Sequence, residues 1–156
     1  MFKVKIIAVG RIKEEYFSEA VKEYVKRAGR YAEVKITEIK EENFCAEPND
    51  KEKEVVLEKE GEAILKEIRG KAYALAIEGK KISSDGLKDL IKKSKDAGEE
   101  LTFIIGGSYG LSPKVKNAAT PISFSDMTFP HTLFRVMLTE QIYRAFNIME
   151  GGKYHK

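Results

Sequence analysis

Apolar and polar positions along this chain follow two rhythms that alternate with each other. Phe2–Val9, FKVKIIAV, alternates and then turns continuously apolar. That predicts a strand entering a core, closed by Gly10. Glu14–Ala28 places Phe17, Ala20, Val21, Tyr24 and Val25 on one face at helical spacing, and Gly29 stops it. Val34–Ile39 alternates again as a second strand. This strand–helix–strand order predicts a right-handed crossover onto a parallel sheet. Glu41–Asn49 is aperiodic, holds Pro48 and reads as a loop. Asn49 or Asp50 is placed to cap the next helix, whose apolar residues are Val55, Val56, Leu57, Ile64, Leu65 and Ile68. Its glutamates mostly alternate with lysines, as on solvated helix faces.

The second half repeats the rhythm. Ala72–Ile77 is a buried strand, and Ser83 or Ser84 caps a helix from about Asp85 to Lys95. Leu101–Ile105 is continuously apolar, as in a strand covered on both faces. Ser112-Pro113 opens a short helix, and Pro121–Phe124 is a short fifth strand. Pro130, with Thr128 as its cap, starts a last long helix to about Met149, which Gly151 and Gly152 end. The pattern predicts an α/β fold, a mostly parallel sheet flanked by helices, in one domain over residues 1–156. Ligands bind such sheets outside the carboxyl ends of the strands. The loops Glu78–Ser83, Gly106–Leu111 and Ser125–Phe129 are therefore the candidates.

Composition narrows this only slightly. The 28 Lys and Arg against 25 Asp and Glu leave +3, a weak bias toward an anionic partner. The bias is uneven, because Glu38–Glu62 is acidic while Arg135–Lys156 is basic. The single cysteine, Cys45, rules out an intrachain disulfide and a structural zinc cluster and reads as a reduced thiol in a loop. The N-terminal apolar run is too short for a signal peptide, and no segment reaches the ~20 apolar residues of a membrane span. A cytoplasmic protein is the expectation.

Four stretches carry candidate chemistry. Gly106-Gly107-Ser108-Tyr109-Gly110 follows a buried strand, where glycines let backbone approach a ligand or simply make a tight turn. It is neither a dinucleotide fingerprint nor a Walker A loop, since position 105 is Ile105 and no GK[ST] follows. Ser123–Pro130 mixes hydroxyl residues with Phe124, Met127 and Phe129, which suits a purine, but also suits a capped helix start with a hydrophobic staple. On the last helix His131 and Arg135 lie four apart on one face, and Glu140 and Arg144 are spaced to pair. Leu133, Val136, Met137 and Ile148 read as core or subunit contact. Tyr154-His155-Lys156 looks like a frayed end by position, yet joins an aromatic, an imidazole and a cation as single-strand RNA binders do.

These residues together resemble a known family. IIGGSYGL at Ile104–Leu111, SFSDMTFPH at Ser123–His131, RVMLTEQIYRAF at Arg135–Phe146, the closing KYHK, KVKIIAVGRIKEEY near the start and EKEGEAIL at Glu58–Leu65 are similar to the RlmH (YbeA-like) family. These are small SPOUT-class methyltransferases acting on N3 of a pseudouridine in 23S ribosomal RNA. The resemblance implies an α/β fold with a C-terminal trefoil knot, a homodimer, and S-adenosylmethionine as methyl donor with no metal. It places cofactor binding on Leu75, Gly106, Phe124, Ser125, Asp126, Met127, Thr128 and Phe129. His131, Arg135, Arg144, Tyr154 and His155 become the candidate catalytic groups, with either histidine as the base and an arginine for the imide anion or a phosphate. Lys156 stands where arginine is also common; it keeps the charge and loses the bidentate fork. The modest +3 suggests that the assembled ribosome or large subunit, not naked RNA, is the substrate. The competing readings are a SPOUT-class enzyme for another rRNA or tRNA nucleotide, and a ribosome-associated RNA-binding protein without activity. The intact IGG and FSDMTF segments speak against the latter.

Overall fold

The computed structural model describes residues 1–42 and 46–156. Cys45, and with it the expected reduced thiol, lies outside the described residues. In chain order the elements are β1 (Lys3–Val9), α1 (Glu15–Ala28), β2 (Glu33–Ile39), α2 (Asp50–Glu67), β3 (Lys71–Lys81), α3 (Ser84–Ala97), β4 (Leu101–Ile105), α4 (Pro113–Ala118), β5 (Thr120–Ser123) and α5 (His131–Met149). The strands form one five-stranded sheet in the order β2-β1-β4-β3-β5. Every pairing is parallel. Parallel neighbours need long crossovers, which is why a helix lies between most successive strands.

The period-two alternation of the strands divides the core into two layers. Val4, Ile6, Ala8, Leu101, Phe103 and Ile105 face Leu87 and Ile91 of α3 and Leu138, Ile142 and Phe146 of α5. Ile7, Val9, Ala72, Ala74 and Ile104 face Ile64 of α2 and Val115 of α4. β1 and β4 are covered on both sides, so their apolar runs are nearly continuous, as expected of central strands.

Local signals set several boundaries. The Glu52 amide donates to Asn49 Oδ1 at 2.8 Å and the Asn49 amide to Glu52 Oε1 at 3.4 Å, a complete capping box. Ser83 accepts the Gly86 amide at 3.0 Å and Ser112 the Val115 amide at 3.3 Å. Gly98 ends α3 at φ 71°, a left-handed position that glycine takes without a Cβ penalty.

Three expectations need correction. The segment Glu78–Ser83 is not a loop throughout, since β3 continues to Lys81. A register shift between Leu75 and Lys80 lets β3 pair twice with Ile122 of β5. The passage is so close that a Cβ on Gly79 would stand 2.6 Å from the Ile122 backbone nitrogen. Thr128 does not cap α5. Pro130 is the N-cap, and its carbonyl accepts the Phe134 amide at 2.9 Å, leaving Thr128 too far out to reach the first turn. The acidic runs of α2 are not all solvated either. Glu60 is 4% exposed and accepts the Glu42 amide at 3.0 Å, and burial pushes its carboxyl above the usual range.

Candidate functional site

The carboxyl ends of β4 and β5, and the middle of β3 where its register shifts, open onto one cavity of about 660 Å³. That is within the size of small-molecule sites. Its floor comes from Leu75 to Glu78 and its far side from Ile105 to Ser108, Gly110 and Leu111. The near side is Ser123 to Ser125 and Met127 to His131, with Phe134 behind them.

The glycine segment is both a tight turn and a wall of this cavity. The Gly110 amide donates to the Gly107 carbonyl at 3.1 Å, and Gly110 sits at φ 82°. A Cβ on Gly106 would meet the Gly110 carbonyl oxygen at 2.6 Å, so any side chain there forces the backbone to move.

The segment after β5 is held by its own hydroxyls. Ser123 Oγ donates to the Ser125 carbonyl at 2.9 Å, and the Met127 amide donates to Ser125 Oγ at 3.1 Å. Phe124 and Phe134 pack with ring centres 5.0 Å apart, and Phe129 and Phe134 at 6.1 Å. They make an apolar aromatic wall. Among the expected cofactor residues, Leu75, Gly106, Phe124, Ser125, Met127, Thr128 and Phe129 line the cavity. Asp126 does not; it pairs with Lys81 at 2.5 Å on the surface, where such a pair stabilises little. Met127 is 71% exposed at the rim.

Of the candidate catalytic residues only His131 reaches this cavity. Its Nδ1 is buried without a hydrogen-bond partner, among the described residues. Such an orphan is costly unless something outside the chain meets it. Gly10, at φ 86°, lies beside the ring: a Cβ there would be in ordinary contact with His131 Cε1 at 3.5 Å and tight against Glu41 Oε2 at 3.2 Å. Glu41 in turn accepts Ser108 Oγ at 2.9 Å, joining the end of β2 to the glycine turn. Nothing local in the sequence marks Glu41, which is one glutamate among several. Lys116 and Glu78 form a second rim pair that the sequence did not single out. The hydrogen bond from Lys116 holds the Glu78 carboxyl below its ordinary range.

Arg135 is elsewhere. It is 3% exposed, and its guanidinium donates to Glu38 Oε2 at 2.5 Å and to the Gly10 carbonyl at 3.0 Å. It ties α5 to the ends of β1 and β2 and does not line the cavity. The i, i+4 spacing from His131 placed both on one side of the helix correctly, but that side turns inward after one turn.

Arg144, Tyr154 and His155 meet at the other end of α5, gathered around Glu140. Glu140 Oε1 accepts Arg144 Nε at 3.0 Å, Arg144 Nη2 at 2.5 Å and the Tyr154 hydroxyl at 2.9 Å. The Arg144 guanidinium lies 4.7 Å from the centre of the Tyr154 ring, and its Nη1 is 3.0 Å from His155 Nδ1. Tyr154 also packs edge-on against Tyr143, ring centres 4.8 Å apart. The Gly152 amide donates to the Asn147 carbonyl at 2.8 Å and the Tyr154 amide to Asn147 Oδ1 at 3.1 Å. The tail is thus docked onto the helix and not frayed. Burial, then the bond to Glu140, pushes the Tyr154 phenol well above its ordinary value. Arg144 follows His131 by thirteen helical positions, about 20 Å along the axis.

Among the described residues no group of three or more His, Cys, Asp or Glu could hold a metal, and no helix is long and apolar enough to cross a membrane. Comparison with known proteins places this geometry. A sequence model described as predicted SPOUT methyltransferase matches residues 2–155. Proteins named ribosomal RNA large subunit methyltransferase H are similar over their whole length. The one from Limosilactobacillus reuteri is 47% identical, covering 98% of this chain and 99% of its own. That from Caldicellulosiruptor saccharolyticus is 46% identical with the same coverage. That from Streptococcus thermophilus is 45% identical over 99% of both. A crystal structure named for a methylase family, from Neisseria gonorrhoeae, superposes with a TM-score of 0.55 at 13% identity over 92% of this chain and 82% of that one, a likeness of fold alone.

Proposed function

The chain belongs to the SPOUT methyltransferase family, and from that premise we propose that it methylates large-subunit ribosomal RNA, at N3 of a pseudouridine in 23S rRNA. The observation that carries this reading is one cavity, at the ends of β4 and β5 and the middle of β3, which gathers seven residues assigned to the cofactor by resemblance. S-adenosylmethionine, when bound, supplies a methyl group already activated on a sulfonium. The residues present fit it. Phe124, Phe129 and Phe134 offer flat apolar faces, the Gly106 turn offers close backbone, and His131 Nδ1 is a buried polar atom in want of a partner. Asp126 is left out of that set.

The RNA side of the reaction falls to the other end of α5. Arg144, Tyr154 and His155 form a ready hydrogen-bonding surface, but none of them lines the cavity of their own chain, and about 15 Å of helix separates Arg144 from Phe134, the last residue of α5 in its wall. The resemblance implies a homodimer in which one copy's tail completes its partner's site, and the reading includes it. It also includes the trefoil threading of the C-terminal part, one domain over the whole chain, and a cytoplasmic location. In this reading Arg135 positions α5 against β1 and β2 and does not touch substrate. With a formal charge of only +3, the folded ribosomal particle supplies much of the recognition surface.

Calorimetry with S-adenosylmethionine tests the cavity, and no binding at millimolar cofactor would defeat the proposal. Mass spectrometry of rRNA from a strain lacking the protein tests the target, where a single unmethylated pseudouridine is the expected result. Deleting Tyr154–Lys156 should abolish methylation while leaving cofactor binding largely intact, since these residues serve the RNA side of the site and none of them lines the cavity. Equal methylation of naked rRNA and of ribosomal particles would remove the particle from the reading.

A further inference from the structure

The two histidines are natural candidates for the base that takes the N3 proton, and the C-terminal cluster separates them. We propose that Glu140, acting through Arg144, fixes His155 in the tautomer that carries its proton on Nε2, so that His155 donates a hydrogen bond to a substrate oxygen and is not the base. The inference deepens the methyltransferase reading and rests on it for the identity of the substrate.

A guanidinium has N–H donors only, no acceptor, and stays protonated. Arg144 Nη1 stands 3.0 Å from His155 Nδ1, so that nitrogen must present its lone pair. A neutral imidazole with a lone pair on Nδ1 carries its hydrogen on Nε2. Arg144 is not free to turn away. Glu140 Oε1 holds both its Nε and its Nη2, and its plane lies against the Tyr154 ring. Tyr154 is itself held by its hydroxyl on Glu140 and its amide on Asn147.

Elsewhere in the cluster both oxygens of the carboxylate are already engaged. Glu140 Oε1 is taken by Arg144 and Tyr154, and Oε2 by Gln141 Nε2 at 2.9 Å. The Tyr154 phenol is pushed above its ordinary value and remains a donor. Arg27, which lies over Tyr24 and Tyr143 at the edge, is paired with Glu23 at 2.8 Å. What the docked tail shows to a ligand is therefore donors. Their natural partner is an oxygen that bears or develops negative charge. In the RNA that oxygen is either a carbonyl flanking N3, which gains charge as the N3 proton leaves, or a backbone phosphate.

Ring-nitrogen NMR on the free, full-length, ¹⁵N-labelled protein at neutral pH reads the tautomer directly. The expected spectrum has His155 Nδ1 unprotonated and Nε2 protonated, with the preference relaxing in Arg144→Ala and in Glu140→Gln. A proton on Nδ1 in the wild type, or an unchanged spectrum in Arg144→Ala, overturns the proposal. Kinetics give the second arm. His155→Gln keeps an acceptor for Arg144 and an N–H donor but cannot take a proton. It should retain most activity, whereas His155→Ala should lose about 10²-fold, the usual worth of a donor aimed at developing charge. If Gln is as slow as Ala, or Ala is as fast as wild type, the donor role falls. A loss in kcat marks the imide oxygen as the partner, and a rise in KM marks the phosphate. Should the wild type bind no S-adenosylmethionine, the methyltransferase reading fails while the NMR result stands; an Nδ1–H tautomer in an active enzyme defeats this inference alone.

Discussion

At its N-terminal end α5 forms part of an apolar cavity built mainly from backbone turns and aromatic rings, and toward its C-terminal end it carries a polar cluster held by side-chain hydrogen bonds. The cavity depends on where β4 and β5 end and where β3 shifts register. Its walls are Gly106, Phe124 and Phe129, each one to six residues past a strand terminus. The cluster depends on Glu140, to which Arg144 and Tyr154 both donate. Backbone-made sites tolerate changes of distant side chains but not of a crowding glycine. Side-chain-made sites behave in the opposite way, because each bond can be removed singly. One helix thus joins two sites with different weak points.

That contrast can be broken at its common support first. Phe146 is fully buried on α5, stacked on Tyr31 with ring centres 5.8 Å apart. Phe146→Ala should cost about 3–5 kcal/mol by urea denaturation and impair both ends together. If cofactor affinity and the tail's NMR signals respond separately, α5 does not couple them. Gly106→Ala comes next. The new Cβ must displace the Gly110 carbonyl, at about 1–3 kcal/mol, and cofactor affinity measured by calorimetry should fall at least about tenfold. The Arg144–His155 contact should be untouched, and its loss in the NMR spectrum would show the two sites to be linked.

The smallest effect is expected for Tyr154→Phe, which removes one hydrogen bond to Glu140 worth about 0.5–1.5 kcal/mol. Methylation should drop while cofactor affinity is kept. The sign of the pH dependence follows from the raised phenol. The folded tail holds the proton more tightly than the undocked chain, whose phenol titrates near the ordinary 10.0. Docking is therefore complete below that value and weakens as pH rises above it. Tail docking followed by NMR should show this alkaline loss in the wild type and not in Tyr154→Phe.

Much of the cavity was legible in the chain. Strand positions follow from alternation, and a rule about strand ends then selects Gly106 and the segment after Ser123 without any contact being known. The C-terminal cluster was legible only in part. The Glu140–Arg144 pair follows from i, i+4 spacing. That Tyr154 and His155 fold back on it does not, because the reversal rests on Asn147 gripping two backbone amides across a glycine pair. Position alone suggested a frayed end, and family resemblance pointed the other way before any geometry did.

By itself the sequence determined the elements, the parallel sheet and two of its three candidate loops, Gly106–Leu111 and Ser125–Phe129, which line the cavity, because these follow from periodicity, caps and glycines acting over a few residues. Tertiary structure decided the rest. It turned Arg135 inward to Glu38 and Gly10, extended β3 past Ile77 with a register shift against β5, moved the start of α5 to His131, and sent Asp126 to a surface pair with Lys81. It also brought Glu41 to Ser108 beside His131. Each of these is set by partners far away in the chain. Local pattern reports which face a residue occupies on its own element, and only packing decides what that face will meet.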